Sequence, residues 1–213
     1  MSVVIVANGK MAGGAWLRPH LAEASLVIAA NGGVKHLRRL GWPPDVVIGD
    51  MDSLGAVERV WLDSAESSLF LTYPADKDQT DLELALAYAL AQGADDILIA
   101  GAFGGRIDHG LANVFLLARA ELAGRRVRLV DDGATVQLVG PGEHSFQGRP
   151  GDLLSLLPLA GDVWVARTEG LRWPLRDEAL RFGEARGVSN VFSAENAMLT
   201  LTVGRLVCVQ TTG

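Results

Sequence analysis

The stretch Asp81-Leu-Glu-Leu-Ala-Leu-Ala-Tyr-Ala-Leu-Ala-Gln-Gly-Ala-Asp-Asp-Ile-Leu-Ile-Ala-Gly-Ala-Phe-Gly-Gly-Arg-Ile-Asp-His109 decides the fold class. Its first part predicts a helix over Asp81–Gln92. Leu82, Ala85, Leu86 and Ala89 share one face there, Thr80 and Glu83 have capping-box spacing, and Gly93 is a stop. Ile97–Ala100 is then a short apolar run without polar alternation, as in a strand buried on both faces. A Gly-rich turn leads into a second helical pattern, Leu111–Ala123. Helix and strand in alternation predict an α/β domain with a mainly parallel sheet.

Working outward, the same alternation covers residues 1–140. Val3–Ala7, Leu26–Ala30, Val46–Ile48, Leu69–Thr72 and Val127–Val130 read as further strands, and Val34–Leu40 and Ala56–Ser64 as further helices. Near Gly140 the character changes, with Pro141, Gly142, Gly148, Pro150 and Gly151 close together. Short runs then recur between turns: Leu153–Leu157, Val163–Ala166, Glu178–Phe182, Val188–Phe192, Met198–Val203 and Leu206–Gln210. Residues 141–213 are therefore expected to form a small antiparallel β domain. Thr200–Val203 and Leu206–Val209, separated by Gly204-Arg205, read as a hairpin within it.

The 213 residues are 49% hydrophobic, ample for a buried core. A net charge of −6 argues against a general grip on nucleic acid or an anionic membrane. The single cysteine, Cys208, excludes an intrachain disulfide and fits a reducing compartment. Met1–Asn8 lacks a basic lead, and no apolar run is long enough to span a bilayer, so a soluble cytoplasmic protein is expected.

Ligands of open α/β sheets bind outside the carboxyl ends of the strands, and the unusual residues of this chain all follow strands. Asn31-Gly32-Gly33 follows the second, Asp50 and Asp52 the third, and Asp78 and Asp81 the fourth. Gly104, Gly105, Arg106 and Asp108 follow the fifth. Carboxylates crowded at one sheet edge repel unless a cation lies between them. Hard oxygen ligands beside a Gly-rich loop and an arginine suggest magnesium and a polyphosphate. Asp50 and Asp52, two apart in an extended segment, would point to the same side; Asp52 or Ser53 could equally cap the next helix. Asp81 also suits a helix start, whereas Asp78 lies outside the capping box. Adjacent glycines let backbone amides approach phosphate oxygens, and Arg106 can bind phosphate through two nitrogens; the alternative is a tight turn with Asp108 as N-cap. His109 reads either as a proton shuttle or as a polar residue at a helix start. Trp173, before Pro174, reads as a stacking platform or as packing between the domains.

Five short blocks carry a resemblance. Gly49-Asp-Met-Asp-Ser53, Lys77-Asp-Gln-Thr-Asp81, Gly104-Gly-Arg-Ile-Asp-His109 with Asn113, Thr168-Glu-Gly-Leu-Arg-Trp173 and Ser189-Asn190 resemble the thiamine pyrophosphokinase (thiamine diphosphokinase) family, in its order and spacing. The resemblance implies an α/β catalytic domain binding ATP and magnesium, a C-terminal β-sandwich binding thiamine, and a homodimer with active sites between subunits. It implies diphosphoryl transfer from ATP to the hydroxyethyl oxygen of thiamine, leaving AMP. Asp50, Asp52, Asp78 and Asp81 would surround magnesium and the triphosphate, and Arg106 and Asp108 would act on the phosphates and the attacking group. Asn31, Gly32, Gly33, Gly104, Gly105, His109 and Asn113 would line the nucleotide site, and Trp173, Ser189 and Asn190 the thiamine pyrimidine. Where the family often has Asp-Gly-Gly, this chain has Asn31-Gly32-Gly33, which keeps an acceptor oxygen and loses a charge. The competing readings are a pyrophosphokinase for another small alcohol, such as a hydroxymethylpterin, and a thiamine or nucleotide sensor without turnover.

Overall fold

Uninterrupted β-branched runs become central strands because both their faces can be covered. The computed structural model describes residues 1–65 and 68–213. These pack as two units, Met1–Asp132 and Gly133–Gly213. The first contains, in chain order, β1 (Ser2–Val6), α1 (Arg18–Glu23), β2 (Leu26–Ala30), α2 (Val34–Leu40), β3 (Val46–Gly49), α3 (Ala56–Ala65), β4 (Leu69–Thr72), α4 (Asp81–Ala91), β5 (Asp96–Ala100), α5 (Ile107–Leu116) and β6 (Arg126–Asp131).

Its strands lie in the order β6-β5-β1-β2-β3-β4, every pairing parallel. Ile5, Ile28, Ile97 and Ile99 are fully buried at the centre, each stabilising the fold by about 1.5–3 kcal/mol. The chain steps outward from β1 to β4 and then returns to β5 on the other side of β1. This reversal makes β1/β5 the switch point, where successive loops diverge and leave a crevice.

Residues 133–213 form β7 (Ala134–Val139), β8 (Gly142–Gln147), β9 (Leu153–Pro158), β10 (Val163–Glu169), β11 (Arg176–Leu180), β12 (Asn190–Val191), β13 (Asn196–Val203) and β14 (Leu206–Thr211). One antiparallel layer runs β12-β9-β14-β7 and the other β11-β10-β13-β8. Val139, Leu154, Leu156 and Cys208 from the first meet Phe146, Val165, Leu199 and Leu201 from the second in one core, which makes the unit a β-sandwich.

Several expectations need correction. The Gly204 turn does not close a hairpin: β13 pairs with β8 and β10, whereas β14 pairs with β7 and β9. The turn carries the chain from one layer to the other. The expected helix Leu111–Ala123 begins earlier, at Ile107, and α5 ends at Leu116, with a separate single turn at Ala120–Leu122. Gly110 lies inside α5, its amide bonded to the Arg106 carbonyl, and so does not break the helix. β7, β8 and the short α1 had no expected counterpart. β7 precedes the change of character near Gly140 and packs with the second unit. No helix among the described residues is long and apolar enough to cross a membrane.

Candidate active site

The loops after β1 to β5 line a cavity of about 540 Å³. Its walls include Asn8 and Gly9 after β1, Asn31 after β2, Asp50, Asp52 and Ser53 after β3, and Lys77 with Gln79 to Leu82 leading into α4. Gly101 to Phe103, Gly105, Arg106, His109 and Asn113 complete them. The loops after β1 and β5 are tied across the switch point by Gly9 N to the Gly101 carbonyl (2.7 Å) and Lys10 N to the Phe103 carbonyl (2.8 Å). The His36 ring, buried on α2, bonds through Nε2 to the Gly9 carbonyl at 2.8 Å. Burial holds this histidine's pKa below the ordinary 6.5.

Missing side chains shape this edge as much as present ones. A Cβ on Gly33 would lie 1.9 Å from the Val6 carbonyl oxygen, so only glycine lets the turn after β2 sit against β1. Gly49, at φ 150°, would carry a Cβ 2.9 Å from the Asn31 Cβ and 3.1 Å from the Asp81 Cγ. Its bare backbone makes room for those two side chains to meet.

Asn31 is the hub of the acidic group. It is 5% exposed and left-handed, with φ 45°. Its Nδ2 donates to Asp50 Oδ1 at 2.7 Å, Asp52 Oδ1 at 2.9 Å and Asp81 Oδ2 at 3.0 Å. An amide nitrogen carries two hydrogens, so three carboxylate oxygens share two protons. Lys77 Nζ lies 2.9 Å from Asp81 Oδ1 and 4.0 Å from Asp50 Oδ2. The closer contact is an ion pair without hydrogen-bond alignment, since Asp81 Oδ1 has no hydrogen-bond partner; buried Asn31 Oδ1 also has none.

Asp50 and Asp52 reach the same nitrogen by a route that differs from the expected one. The segment is a turn rather than extended chain: Met51 is left-handed at φ 63°, and Asp52 N donates to Asp50 Oδ1 at 3.1 Å. Neither Asp52 nor Ser53 caps a helix, since α3 starts at Ala56. Hydrogen bonding from Asn31, then within the Asp50 pair and from Ser53, holds the Asp52 carboxyl below the usual range, so it stays ionised. The capping box at α4 is present as expected, with Thr80 and Glu83 exchanging bonds of 2.9 and 3.2 Å. Asp81 thus both starts the helix and joins the acidic group. Asp78 is exposed and is not among the residues lining the cavity.

The Arg106 fork grips Asp108, Nε to Oδ1 at 3.1 Å and Nη2 to Oδ2, and both side chains are exposed. The pairing depresses the Asp108 pKa and raises that of Arg106. Arg106 lines the cavity and is the N-cap residue of α5; Asp108 is the helix's second residue rather than its N-cap, and its Oδ1 accepts from His109 N at 2.9 Å. Asn113 Nδ2 donates to the Ala102 carbonyl at 2.8 Å, anchoring the Gly-rich loop. Gly104 is left-handed, and Gly105 faces open space.

As they stand, no three or more His, Cys, Asp or Glu side chains among the described residues are arranged to hold a metal ion. The carboxylates converge on the amide and the ammonium instead. The donor set nevertheless fits a hard cation: three carboxylates, with two buried oxygens that lack hydrogen-bond partners. Sequence reasoning missed Lys77, although it begins one of the five blocks, and missed Asn8 and Gly9, which follow a strand as the other candidates do.

In the second unit the structure brings Trp173 and Asn190 together. Asn190 Oδ1 accepts from Trp173 N at 3.1 Å, and its Nδ2 donates to the Trp173 carbonyl at 2.6 Å. Ser189, left-handed at φ 57°, donates its backbone N–H to Ser155 Oγ at 2.9 Å. The Trp173 ring is half exposed, with the Arg172 guanidinium 5.0 Å from its centroid.

A parallel sheet with a polar cavity at its switch point, followed in the chain by a β-sandwich, defines a two-part α/β enzyme. The family description "Thiamin pyrophosphokinase, catalytic domain" matches residues 17–129, and "Thiamin pyrophosphokinase, vitamin B1 binding domain" matches residues 143–207. Thiamine pyrophosphokinase of Bacillus subtilis (strain 168) is 31% identical over 191 residues, covering 89% of each chain. The crystal structure of thiamine pyrophosphokinase from Bacillus subtilis has a TM-score of 0.90 at 29% identity, over 100% of both chains. A thiamin pyrophosphokinase family protein from Enterococcus faecalis gives 0.85 at 26%, again over 100% of both. The chain belongs to the thiamine pyrophosphokinase family.

Proposed function

We propose that this enzyme transfers a diphosphoryl group from ATP to the hydroxyethyl oxygen of thiamine, giving thiamine diphosphate and AMP. The observation that carries this reading is the acidic group at the sheet edge in a chain that both family descriptions match. The first unit is the catalytic part and the second the thiamine-binding part. Asp50, Asp52 and Asp81 would hold magnesium, with exposed Asp78 joining when the nucleotide binds. Magnesium, when bound, supplies positive charge that neutralises the phosphates.

The protein's own residues then position the reactants, which is most of what phosphoryl transfer requires. Asn31-Gly32-Gly33, Gly104, Gly105, His109 and Asn113 form the nucleotide cradle. Arg106 exchanges its intramolecular carboxylate for phosphate oxygens and so frees Asp108 to orient the attacking hydroxyl. A carboxylate of the group takes the hydroxyl proton late in the transfer. Trp173 offers a flat face to the pyrimidine, with Ser189 and Asn190 fixing that segment. Thiamine is a cation, and the acidic edge attracts it.

The enzyme acts as a homodimer with its active site between subunits. Support comes from α5, where Ile107, Leu111 and Phe115 are spaced four apart and are 82%, 54% and 57% exposed. Such an apolar stripe marks an interaction face. Incubation with thiamine, ATP and magnesium should yield AMP and thiamine diphosphate in equal amounts. AMP formed with a hydroxymethylpterin and not with thiamine would replace the substrate. Thiamine binding without AMP would make the chain a sensor.

A further inference from the structure

Lys77 has no part in the transfer just described, yet its ammonium sits within the acidic group. Its side chain is 15% exposed, and Nζ faces Asp81 Oδ1 at 2.9 Å and Asp50 Oδ2 at 4.0 Å. The same two carboxylates, with Asp52, receive the Asn31 amide. Three clustered negative charges need positive charge nearby, and the chain provides it from within: one ammonium, and one amide that presents its hydrogens. A second observation concerns Asn31. Its buried Oδ1 has no partner. Half a turn of the amide would exchange a donor, suited to bare carboxylates, for an acceptor, suited to a cation.

We propose that Lys77 is a tethered counter-cation for Asp50 and Asp81 that magnesium must displace, so that metal enters together with nucleotide rather than alone. This inference rests on the reading of the site as a magnesium–nucleotide centre. Magnesium arriving alone would bring two positive charges beside an ammonium already paired with the carboxylates the ion needs. Magnesium arriving with a triphosphate brings another anion with it, and Lys77 transfers from carboxylate to phosphate. Lys77 is therefore a positioning residue. It sets the order of binding by opposing the bare ion and favouring the loaded nucleotide.

The test measures metal binding without turnover. Full-length wild type, Lys77→Met, Lys77→Gln and Lys77→Arg are titrated calorimetrically with magnesium chloride alone at constant ionic strength, then with magnesium and ATP. Both neutral variants should bind magnesium alone about ten-fold more tightly than wild type, as removal of a like charge at this range requires. Lys77→Arg keeps the charge and should match wild type, and both neutral variants should bind the magnesium–ATP complex less tightly. Two neutral variants are used so that a folding defect in one leaves the other to decide. If magnesium alone binds the folded neutral variants no more tightly than wild type, the counter-cation role is overturned. If wild type fails to bind magnesium–ATP at all, the reading of the site itself is what fails.

Discussion

The two units treat buried polar atoms in opposite ways. In the second, Thr168 Oγ1 accepts from Leu175 N, Asn190 spends both ends of its amide on Trp173, and Asp152 accepts from Arg149 N and Gly213 N. In the first lie all the buried side-chain atoms without a hydrogen-bond partner found among the described residues: Trp16 Nε1, Asn31 Oδ1, Asp81 Oδ1 and Arg128 Nε. Two of these belong to the acidic group. A saturated polar group stabilises its surroundings, whereas an unsaturated one keeps bonding capacity in reserve for a ligand. The first unit is thus built to react and the second to hold shape. Substitutions should separate these roles.

The largest effect is expected from Asp52→Asn. It removes a charge from the reserve and little from the fold. Turnover should fall by more than about a hundredfold, given that even outer partners of a metal site cost up to that factor. The melting temperature should hold or fall slightly, because the ionised Asp52 carboxylate accepts bonds from Asn31 and Ser53 that favour the folded state. AMP release and a thermal melt on one sample test both halves, and near-normal turnover would remove Asp52 from the mechanism.

Asn190→Ala should show the opposite profile. It leaves the Trp173 N–H and carbonyl unpaired, at a cost of about 1–3 kcal/mol per unsatisfied group. Urea unfolding should record that loss, with the Michaelis constant for thiamine rising as Trp173 loosens. An unchanged midpoint would mean that the clamp contributes nothing.

Arg106→Lys comes next. It keeps the charge and loses the fork now seen on Asp108, so turnover should drop about ten-fold with thiamine affinity preserved. Wild-type rates in this variant would leave Arg106 a surface ion pair only.

The smallest effect belongs to a bonded group in the first unit, His36. Its folded pKa is depressed by burial, so the unfolded chain binds more protons near and below pH 6.5. Stability should therefore fall as pH drops through 6.5 and level off below the folded pKa, with a slope of at most about 1.4 kcal/mol per pH unit. His36→Gln should flatten the slope in denaturant titrations across that window, and an unchanged slope would assign it to other groups.

How much of this was legible in the sequence depended on whether local pattern or tertiary contact decides a feature. β2, β4 and α2 have the expected bounds, because apolar runs and a Gly41 stop are local signals, even in β4, where Leu69 and Phe70 are exposed. The gathering of Asn31, Asp50, Asp52 and Asp81 at one edge follows from parallel topology, and so was legible too. The hairpin reading failed because alternation in β13 and β14 reports which residues are buried, not which layer buries them. β8 went unseen because it is an edge strand in which Phe146 is the buried residue. The left-handed turn at Met51 and the hub geometry of Asn31 arise from contacts between separate loops, which no periodicity records. Lys77 was hidden by its own charge, since a lysine in a polar loop ordinarily reads as solvated.

Gly49 has a consequence for how this protein tolerates change. It contributes no charge, donor or ligand, yet its missing methyl lets the amide of one loop reach the carboxylate of another. Alanine there would dismantle the acidic group without altering any acid. Mutational sensitivity in this enzyme is therefore governed by clearance as well as by chemistry, and the least reactive residue at the edge is among the least replaceable.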